Sequence, residues 1–90
     1  MNLIKVITTK GCVACDILKD TLSKTLEELN RSDINIEYID CQDLSHRQFI
    51  NRYMITDFPT MVLMKDNDVL IKYTGTKPKY ELNKIINKHF

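Results

Sequence analysis

The sequence predicts one α/β domain, spanning residues 1–90, with a mixed four-stranded β-sheet and helices on both of its faces. Three observations lead to this fold class. A chain of 90 residues can bury one modest hydrophobic core but not two. Short segments rich in β-branched residues are separated by segments whose apolar residues recur every three or four positions, as on a helix face. The segments follow the order β-α-β-α-β-β-α, which requires parallel and antiparallel strand pairs in one sheet.

The first half of the chain reads as a strand, a helix and a second strand. Leu3–Thr8 is short, apolar and rich in β-branched residues, which is typical of a buried strand. A helix is predicted from about Val13 to Asn30, and Ile34–Asp40 alternates apolar and polar residues as a strand does. The helix face expected to be buried consists of Ala14, Leu18, Leu22, Leu26 and Leu29. A helix of this length between two strands predicts a right-handed parallel crossover.

The second half is predicted to contain a short helix, a hairpin and a last helix. Leu44–Tyr53 has the pattern of a short helix. Thr60–Met64 and Val69–Thr74 form the hairpin strands, with Lys65–Asp68 as their turn. Pro78 is expected in the first turn of the last helix, where its missing N–H would have no partner. The apolar stripe of that helix consists of Leu82, Ile85, Ile86 and Phe90.

Charge and hydropathy exclude several classes of protein. The formal net charge is +1, so the chain lacks the basic excess of a nucleic-acid-binding protein. No apolar run approaches the roughly 18 residues of a membrane span, and the segment "MNLIKVITT" is too polar for a secretory signal. We therefore expect a cytoplasmic, monomeric protein with no nucleic-acid or membrane partner. In a reducing compartment, a close cysteine pair is more often catalytic or metal-binding than structural.

Two of the three cysteines lie in "TTKGCVACDILK", between the first strand and the first helix. Cys12 and Cys15 are a redox pair, half of a metal site or a structural crosslink on spacing alone. Their spacing brings both sulfurs to one side of the helix end, within disulfide distance. The helix N-terminus favours a thiolate, most of all at Cys12, whereas the negative charge of Asp16 opposes it. This context favours a redox pair with Cys12 as nucleophile and Cys15 as resolving partner.

A redox pair of this kind predicts a defined cycle. The Cys12 thiolate attacks a disulfide of a protein substrate and forms a mixed disulfide. Cys15 then attacks Cys12, which releases the reduced substrate and leaves an internal Cys12–Cys15 disulfide. This redox-active disulfide is the only prosthetic chemistry expected, with no bound cofactor and no metal. A separate electron donor must restore the dithiol.

Three segments resemble the thioredoxin superfamily, and the resemblance covers nearly all of the chain. The segment "VITTKGCVACDILKDTL" resembles the opening of glutaredoxins and glutaredoxin-like redoxins. The segment "DFPTMVLMKDNDV" resembles thioredoxins around their cis-proline, and Gly75 stands where thioredoxins have a glycine. The resemblance implies a thioredoxin-like fold and a protein-disulfide reductase. It also implies that Pro59 follows a cis bond beside the cysteine pair, and that Gly11, Phe58 and Pro59 bind substrate. The Phe58 backbone would then pair with an extended substrate segment.

The chain also departs from both branches of this superfamily. Thioredoxins usually have tryptophan before the first cysteine and Gly-Pro between the two, whereas this chain has Gly11 and Val13-Ala14. Their buried aspartate on the first strand is replaced here by Val6. The Gly-Gly pair and aspartate of the glutaredoxin glutathione site are absent from "YTGTKPKYEL". The resemblance therefore leaves two electron donors open, thioredoxin reductase and glutathione, and implies ribonucleotide reductase as one candidate substrate.

Two alternatives to a redox enzyme follow from the same residues. The chain is a redox-inactive or regulatory binding module of thioredoxin fold if its cysteines do not turn over. It is a zinc protein if Cys41 and His46 join Cys12 and Cys15 as ligands. We expect instead that Cys41 packs at the end of the second strand, because a free cysteine usually behaves as a small apolar residue.

Overall fold

The computed structural model describes residues 1–90 and is built around one mixed sheet of four strands. The strands are β1 (Asn2–Thr8), β2 (Ile34–Asp40), β3 (Thr60–Lys65) and β4 (Asp68–Thr74). Their order across the sheet is β2-β1-β3-β4. β1 pairs in parallel with β2 and antiparallel with β3, and β3 pairs antiparallel with β4. The predicted fold class and element order are confirmed.

Three helices cover this sheet: α1 (Val13–Glu28), α2 (Arg47–Arg52) and α3 (Lys79–His89). α1 ends two residues earlier than predicted, and Asn30 then adopts a left-handed backbone conformation with φ of 53°. Such a residue stops a helix because it redirects the chain. None of the three helices combines the length and the hydrophobicity that crossing a membrane requires.

The predicted second and third helices begin differently from expectation. Leu44–His46 forms a 3₁₀ turn rather than α-helix, and the Asp43 carboxylate caps it by accepting the N–H of Ser45 at 3.0 Å. Pro78 precedes α3 as its N-cap instead of lying in the first turn, with an extended ψ of 161°. Its carbonyl oxygen accepts the N–H groups of Glu81 and Leu82. The missing N–H of proline costs nothing at this position, because the N–H of an N-cap residue has no partner within the helix.

Apolar side chains fill both faces of the sheet because strand residues alternate between faces. One buried cluster lies between the sheet and the pair α1 and α3. Its members are Ile4, Val6, Leu18, Leu22, Leu26, Ile34, Met61, Leu63, Leu82, Ile85 and Ile86. A second cluster lies on the opposite face, under α2, and consists of Ile7, Ile39, Ile50, Ile55, Val62 and Met64. On β1, Ile4 and Val6 therefore point to one face, while Ile7 points to the other.

The sheet topology gathers four connecting segments at one end. β1 and β2 are parallel, so Thr8 and Asp40 finish side by side. β3 begins at this end because it is antiparallel to β1, and Thr60 pairs with both Ile7 and Thr74. We call this end, where β1, β2 and β4 finish and β3 begins, the cysteine end of the sheet.

The first cluster makes a direct prediction about stability. Leu22→Ala should lower the free energy of unfolding by about 2–5 kcal/mol, because Leu22 is fully buried against β1 and α3 residues. Leu44→Ala makes the same chemical change at a side chain that is 78% exposed, and should change that free energy by less than about 0.5 kcal/mol. Urea denaturation followed by circular dichroism measures both, and equal losses would contradict this assignment of the core.

A surface ion pair predicts how stability depends on acid. Arg31 donates two 2.8 Å hydrogen bonds to Asp33 and a third to the Phe90 carbonyl oxygen. The Arg31 hydrogen bond lowers the pKa of Asp33 from 3.8 to about 2. The folded state therefore favours the carboxylate, and this stabilisation is present above the unfolded pKa and is lost as pH falls through the folded pKa.

The variant Asp33→Asn isolates that contribution. The difference in free energy of unfolding between the native chain and this variant should be constant above about pH 5. It should shrink as pH falls from 3.8 towards about 2. The difference is expected to be small because the Asp33 side chain is solvent-exposed. Urea titrations at a series of acidic pH values measure it, and a difference that does not change with pH would contradict the assignment.

Candidate active site

Gly11 shapes the connection between β1 and the cysteine pair. Its φ is +69°, in the left-handed region that strains any residue with a Cβ. A Cβ built there meets no atom within 4 Å, so the backbone conformation rather than space demands glycine. This turn brings the chain from the end of β1 directly into α1. Cys12 lies at the N-cap, with an extended backbone at φ of −92° and ψ of 101°.

Cys12 and Cys15 form a disulfide across the first turn of α1, with their Cα atoms 5.2 Å apart. The Cys12 sulfur also accepts a hydrogen bond from the backbone N–H of Cys15, at 3.0 Å. It thus takes the place of the oxygen that usually caps a helix, and it lies at the positive end of the helix dipole. A thiolate at this position keeps the same N–H donor, and a charged acceptor strengthens such a bond.

The two sulfurs differ in exposure. Cys15 is only 4% exposed, whereas Cys12 is half-buried at the protein surface. Val13 and Ile17 follow on the outer face of α1 and are 71% and 51% exposed, which is unusual for branched apolar side chains. The Cys12 side of the pair is therefore the accessible one, beside an apolar strip of the helix. The sequence pattern placed neither Val13 nor Ile17 at the site, because exposure cannot be read from residue type.

The segment before β3 lies at the same end of the sheet as the cysteine loop, because Ile7 pairs with Thr60. The Phe58–Pro59 peptide bond is cis. Pro59 is buried, and its carbonyl oxygen accepts the N–H of Gly75 at 2.7 Å. Phe58 is half-buried and packs against the cluster under α2. The hydrogen bonds outside the helices and strands include none to the Phe58 backbone.

Thr60 and Gly75 hold this segment, and sequence reasoning gave neither of them that role. The Thr60 hydroxyl is buried and donates to the Asp57 carbonyl oxygen at 2.6 Å, which closes the turn around Pro59. Gly75 has a φ of +86° and thereby aims its N–H at Pro59. The sequence did contain a signal for the role of Thr60, namely a polar residue directly after the proline at the start of a buried strand. A buried hydroxyl must find a partner, and the adjacent turn supplies it.

The remaining cysteine lies at the same end of the sheet but outside the pair. Cys41 follows β2, is half-buried, and donates from its thiol to the Thr9 hydroxyl at 3.4 Å. His46 lies beside two carboxylates instead of the cysteines, 3.2 Å from Asp43 and 3.6 Å from Glu37. The structure contains no group of three or more His, Cys, Asp or Glu side chains arranged to hold a metal ion.

Val6, six residues before Cys12, lies on the face of β1 that packs against α1 and α3. It is fully buried and belongs to the apolar cluster between the sheet and those helices. The core under the cysteines therefore contains no ionisable side chain at this position. The only acidic residue close to the pair in sequence is Asp16, which is exposed on the first turns of α1.

Comparisons with known proteins agree on one family. A family model described as Thioredoxin matches residues 3–88. A thioredoxin of Bacillus subtilis (strain 168) is 27% identical over 78 residues, which cover 87% of this chain and 72% of that protein. The range matched by the family model contains both the cysteine pair and the Pro59 segment.

Solved structures give the same result for the fold. Thioredoxin-2, a component of the malaria parasite protein secretion machinery, superposes with a TM-score of 0.81 at 18% identity, covering 99% of this chain and 84% of that one. The germline-specific thioredoxin Deadhead of Drosophila melanogaster gives a TM-score of 0.80 at 18% identity, covering 99% and 81%. At this identity the structural likeness shows the fold alone.

The family match, which spans nearly the whole chain, adds the chemistry. Thioredoxins exchange electrons with protein disulfides through a redox-active cysteine pair and use no bound cofactor. The Cys12–Cys15 disulfide at the start of α1 is that pair in this chain. The protein is therefore a thiol–disulfide oxidoreductase and belongs to the thioredoxin family.

Proposed function

We propose that this protein reduces disulfides of other proteins, with Cys12 as the attacking cysteine and Cys15 as the resolving cysteine. The observation that carries the proposal is the asymmetry of the pair. The Cys12 sulfur is accessible and capped by an N–H donor, whereas the Cys15 sulfur is almost fully buried. A nucleophile must reach its substrate, while a resolving cysteine needs to reach only its neighbour.

The reaction then proceeds in two exchanges. The Cys12 thiolate attacks one sulfur of the substrate disulfide, and the second substrate sulfur leaves as a thiolate that takes up a proton. Cys15 loses its proton and attacks Cys12, so the mixed disulfide breaks and the first substrate sulfur leaves as a thiolate. Two electrons have passed to the substrate, and Cys12–Cys15 is a disulfide again. Their 5.2 Å Cα separation lets the second attack occur with little backbone movement.

The loops at the cysteine end of the sheet supply the substrate site. Phe58 offers an unpaired backbone to an extended substrate segment, in the manner of an added strand. Pro59 fixes the direction of that backbone because it is buried and tied to Gly75. Gly11 leaves the approach to Cys12 open, since it carries no side chain. Val13 provides apolar contact beside the reacting sulfur.

We assign the electron donor to the thioredoxin reductase type rather than to glutathione. The family match and the similarity to a bacterial thioredoxin support this choice. The segment before α3 supports it as well, because it has a single glycine and no aspartate where glutaredoxins bind glutathione. A reductant of this kind works in a reducing compartment, so we place the protein in the cytoplasm. Ribonucleotide reductase remains a candidate substrate within this proposal.

Serine variants of the cysteines test the assigned roles. In insulin reduction by dithiothreitol, Cys12→Ser should fall to the rate without protein, because the nucleophile is gone. With insulin but without dithiothreitol, pre-reduced Cys15→Ser should react once and then accumulate as a mixed disulfide on Cys12, visible as an added mass in mass spectrometry. Cys41→Ser is the matched control and should keep the native rate. A Cys12→Ser variant as fast as the native protein would instead favour a binding module with idle cysteines.

Donor preference is tested by supplying two reducing systems to the same protein and substrate. NADPH with a thioredoxin reductase should support insulin reduction at least about tenfold faster than NADPH with glutathione and glutathione reductase. NADPH oxidation measures both, and dithiothreitol confirms that each protein sample is active. A faster rate with glutathione would overturn the donor assignment without affecting the roles of the two cysteines.

A further inference from the structure

A small pocket opens beside Cys15, on the side of α1 that faces the ends of β1 and β2. Its volume is about 130 Å³, which is room for several water molecules. It is lined by Thr8, Thr9, Cys15, Asp16, Lys19 and Tyr38. The pocket therefore gives Cys15, which is only 4% exposed, an opening to solvent.

The proposed reaction requires Cys15 to lose a proton in this surrounding. Burial disfavours a thiolate, so the proton does not leave the thiol readily without an acceptor. The core beneath the pair provides none, because Val6 and Leu18 are fully buried apolar side chains. The pocket offers the proton a route to solvent.

Among the groups that line the pocket, one carboxylate is able to accept the proton. Lys19 carries an ammonium, which has no acceptor, and its Nζ lies 5.0 Å from the centre of the Tyr38 ring. The pKa of Tyr38 is raised because burial disfavours its phenolate more than the Ser23 hydrogen bond favours it, so the phenol stays protonated. The remaining acidic residue is Asp16.

The end of β1 and the neighbouring loops add no competing acceptor to the pocket. The Thr8 hydroxyl donates a hydrogen bond to the Ile39 carbonyl oxygen at 3.3 Å, and the Thr9 hydroxyl accepts one from the Cys41 thiol at 3.4 Å. Lys10 and Asp57, the charged residues of the two loops that flank the pair, do not line the pocket.

We propose that the Asp16 carboxylate accepts, through water in this pocket, the proton that the Cys15 thiol loses during resolution. The proton passes from Cys15 to water and from water to Asp16, while the new thiolate attacks the Cys12 sulfur. The bond between Cys12 and the substrate breaks, and the substrate leaves as a thiolate. This inference rests on the proposed roles of the two cysteines and adds a proton acceptor for the second of them.

The negative charge of Asp16 makes the two explanations predict opposite changes in the rate of the second exchange. Asp16 lies in the first turns of α1, where its negative charge opposes a thiolate at either cysteine. If charge were its whole effect, removing it would speed both exchanges. If Asp16 accepts the Cys15 proton, removing it slows the second exchange while the first is unchanged or faster.

The two exchanges are separable with Ellman's disulfide as the probe. All proteins in this test carry Cys41→Ser, so that no third thiol reacts with the probe. Reduced protein releases one nitrothiobenzoate when Cys12 attacks, in a phase whose rate rises with probe concentration. It releases a second when Cys15 resolves the mixed disulfide, in a phase independent of that concentration. Stopped-flow absorbance records both. Failure of the cysteine assignment would show as a first phase that survives Cys12→Ser, whereas the Asp16 inference concerns the second phase alone.

Asp16→Asn should slow the second phase at least about tenfold near neutral pH. This is a smaller effect than the roughly 10²-fold or more lost with a direct general base, because water also reaches the pocket and can accept the proton. The deficit should disappear as pH rises, since hydroxide then removes the thiol proton. Asp16→Glu should restore the rate, because it keeps the carboxylate.

The matched control is Asp20→Asn, which removes the same charge one turn further along α1, from a residue that pairs with Lys24 at the surface. It should leave both phases unchanged. A second phase in Asp16→Asn that is as fast as in the native protein, or faster, would overturn the proposal. An equal slowing in both asparagine variants, or no recovery in Asp16→Glu, would overturn it too.

Discussion

The register of β1 against β3 is the constraint on which the rest of the structure depends. Ile7 pairs with Thr60, so the cysteine loop after β1 and the Pro59 segment before β3 emerge at the same point of the sheet. Shifting this register by one residue would turn every side chain of one strand to the other face. Val6 and Ile7 would then exchange clusters, and both cores would lose their packing. The packing energy of the two apolar clusters thus keeps the cysteine loop and the Pro59 segment at the same point of the sheet.

Within that frame, the helix end determines which of the two sulfurs is exposed. An N-cap residue has its side chain outside the helical spiral and close to free N–H groups, whereas the residue three positions later lies within the first turn and against the core. Cys12 and Cys15 occupy these two positions. The difference in exposure between the sulfurs is therefore a consequence of their spacing on a helix that begins where β1 ends. Gly11 makes that beginning possible because its positive φ turns the chain within a few residues.

A helix or strand could be predicted from the sequence where the spacing of its apolar residues and the length of the segment indicated the same type of element. The boundaries of β2 were predicted to the residue, since Ile34–Asp40 alternates clearly and lies between polar turns. The short second helix was predicted less well, because its first turn, Leu44–His46, is a 3₁₀ turn capped by Asp43. A single turn is too short for the sequence pattern to distinguish a 3₁₀ helix from an α-helix. Pro78 was placed one position too far inside α3, since proline is compatible with either side of a helix start.

The candidate site was predictable only in part, for a related reason. Cys12, Cys15 and Pro59 are marked by residue type, and the strand order then brings their segments together. The pocket beside Cys15 is not marked in this way, because its walls come from three separate elements and each of its residues is common at a surface. Thr8 and Tyr38 become neighbours of Cys15 only through the parallel pairing of β1 with β2. No local pattern encodes such a contact.

The proposed proton acceptor lies on the helix surface and not in the core, and this placement has a physical consequence for so small a domain. A carboxylate at position 6 would have to lose its hydration inside the larger apolar cluster, which destabilises a fold unless the charge is paired. With valine there, that cluster is continuous across β1, β3, α1 and α3. An exposed carboxylate on α1 keeps its hydration in both redox states, so it can serve a buried thiol through water without disturbing the core. In this proposal, stability and proton transfer depend on different residues, buried Val6 and exposed Asp16.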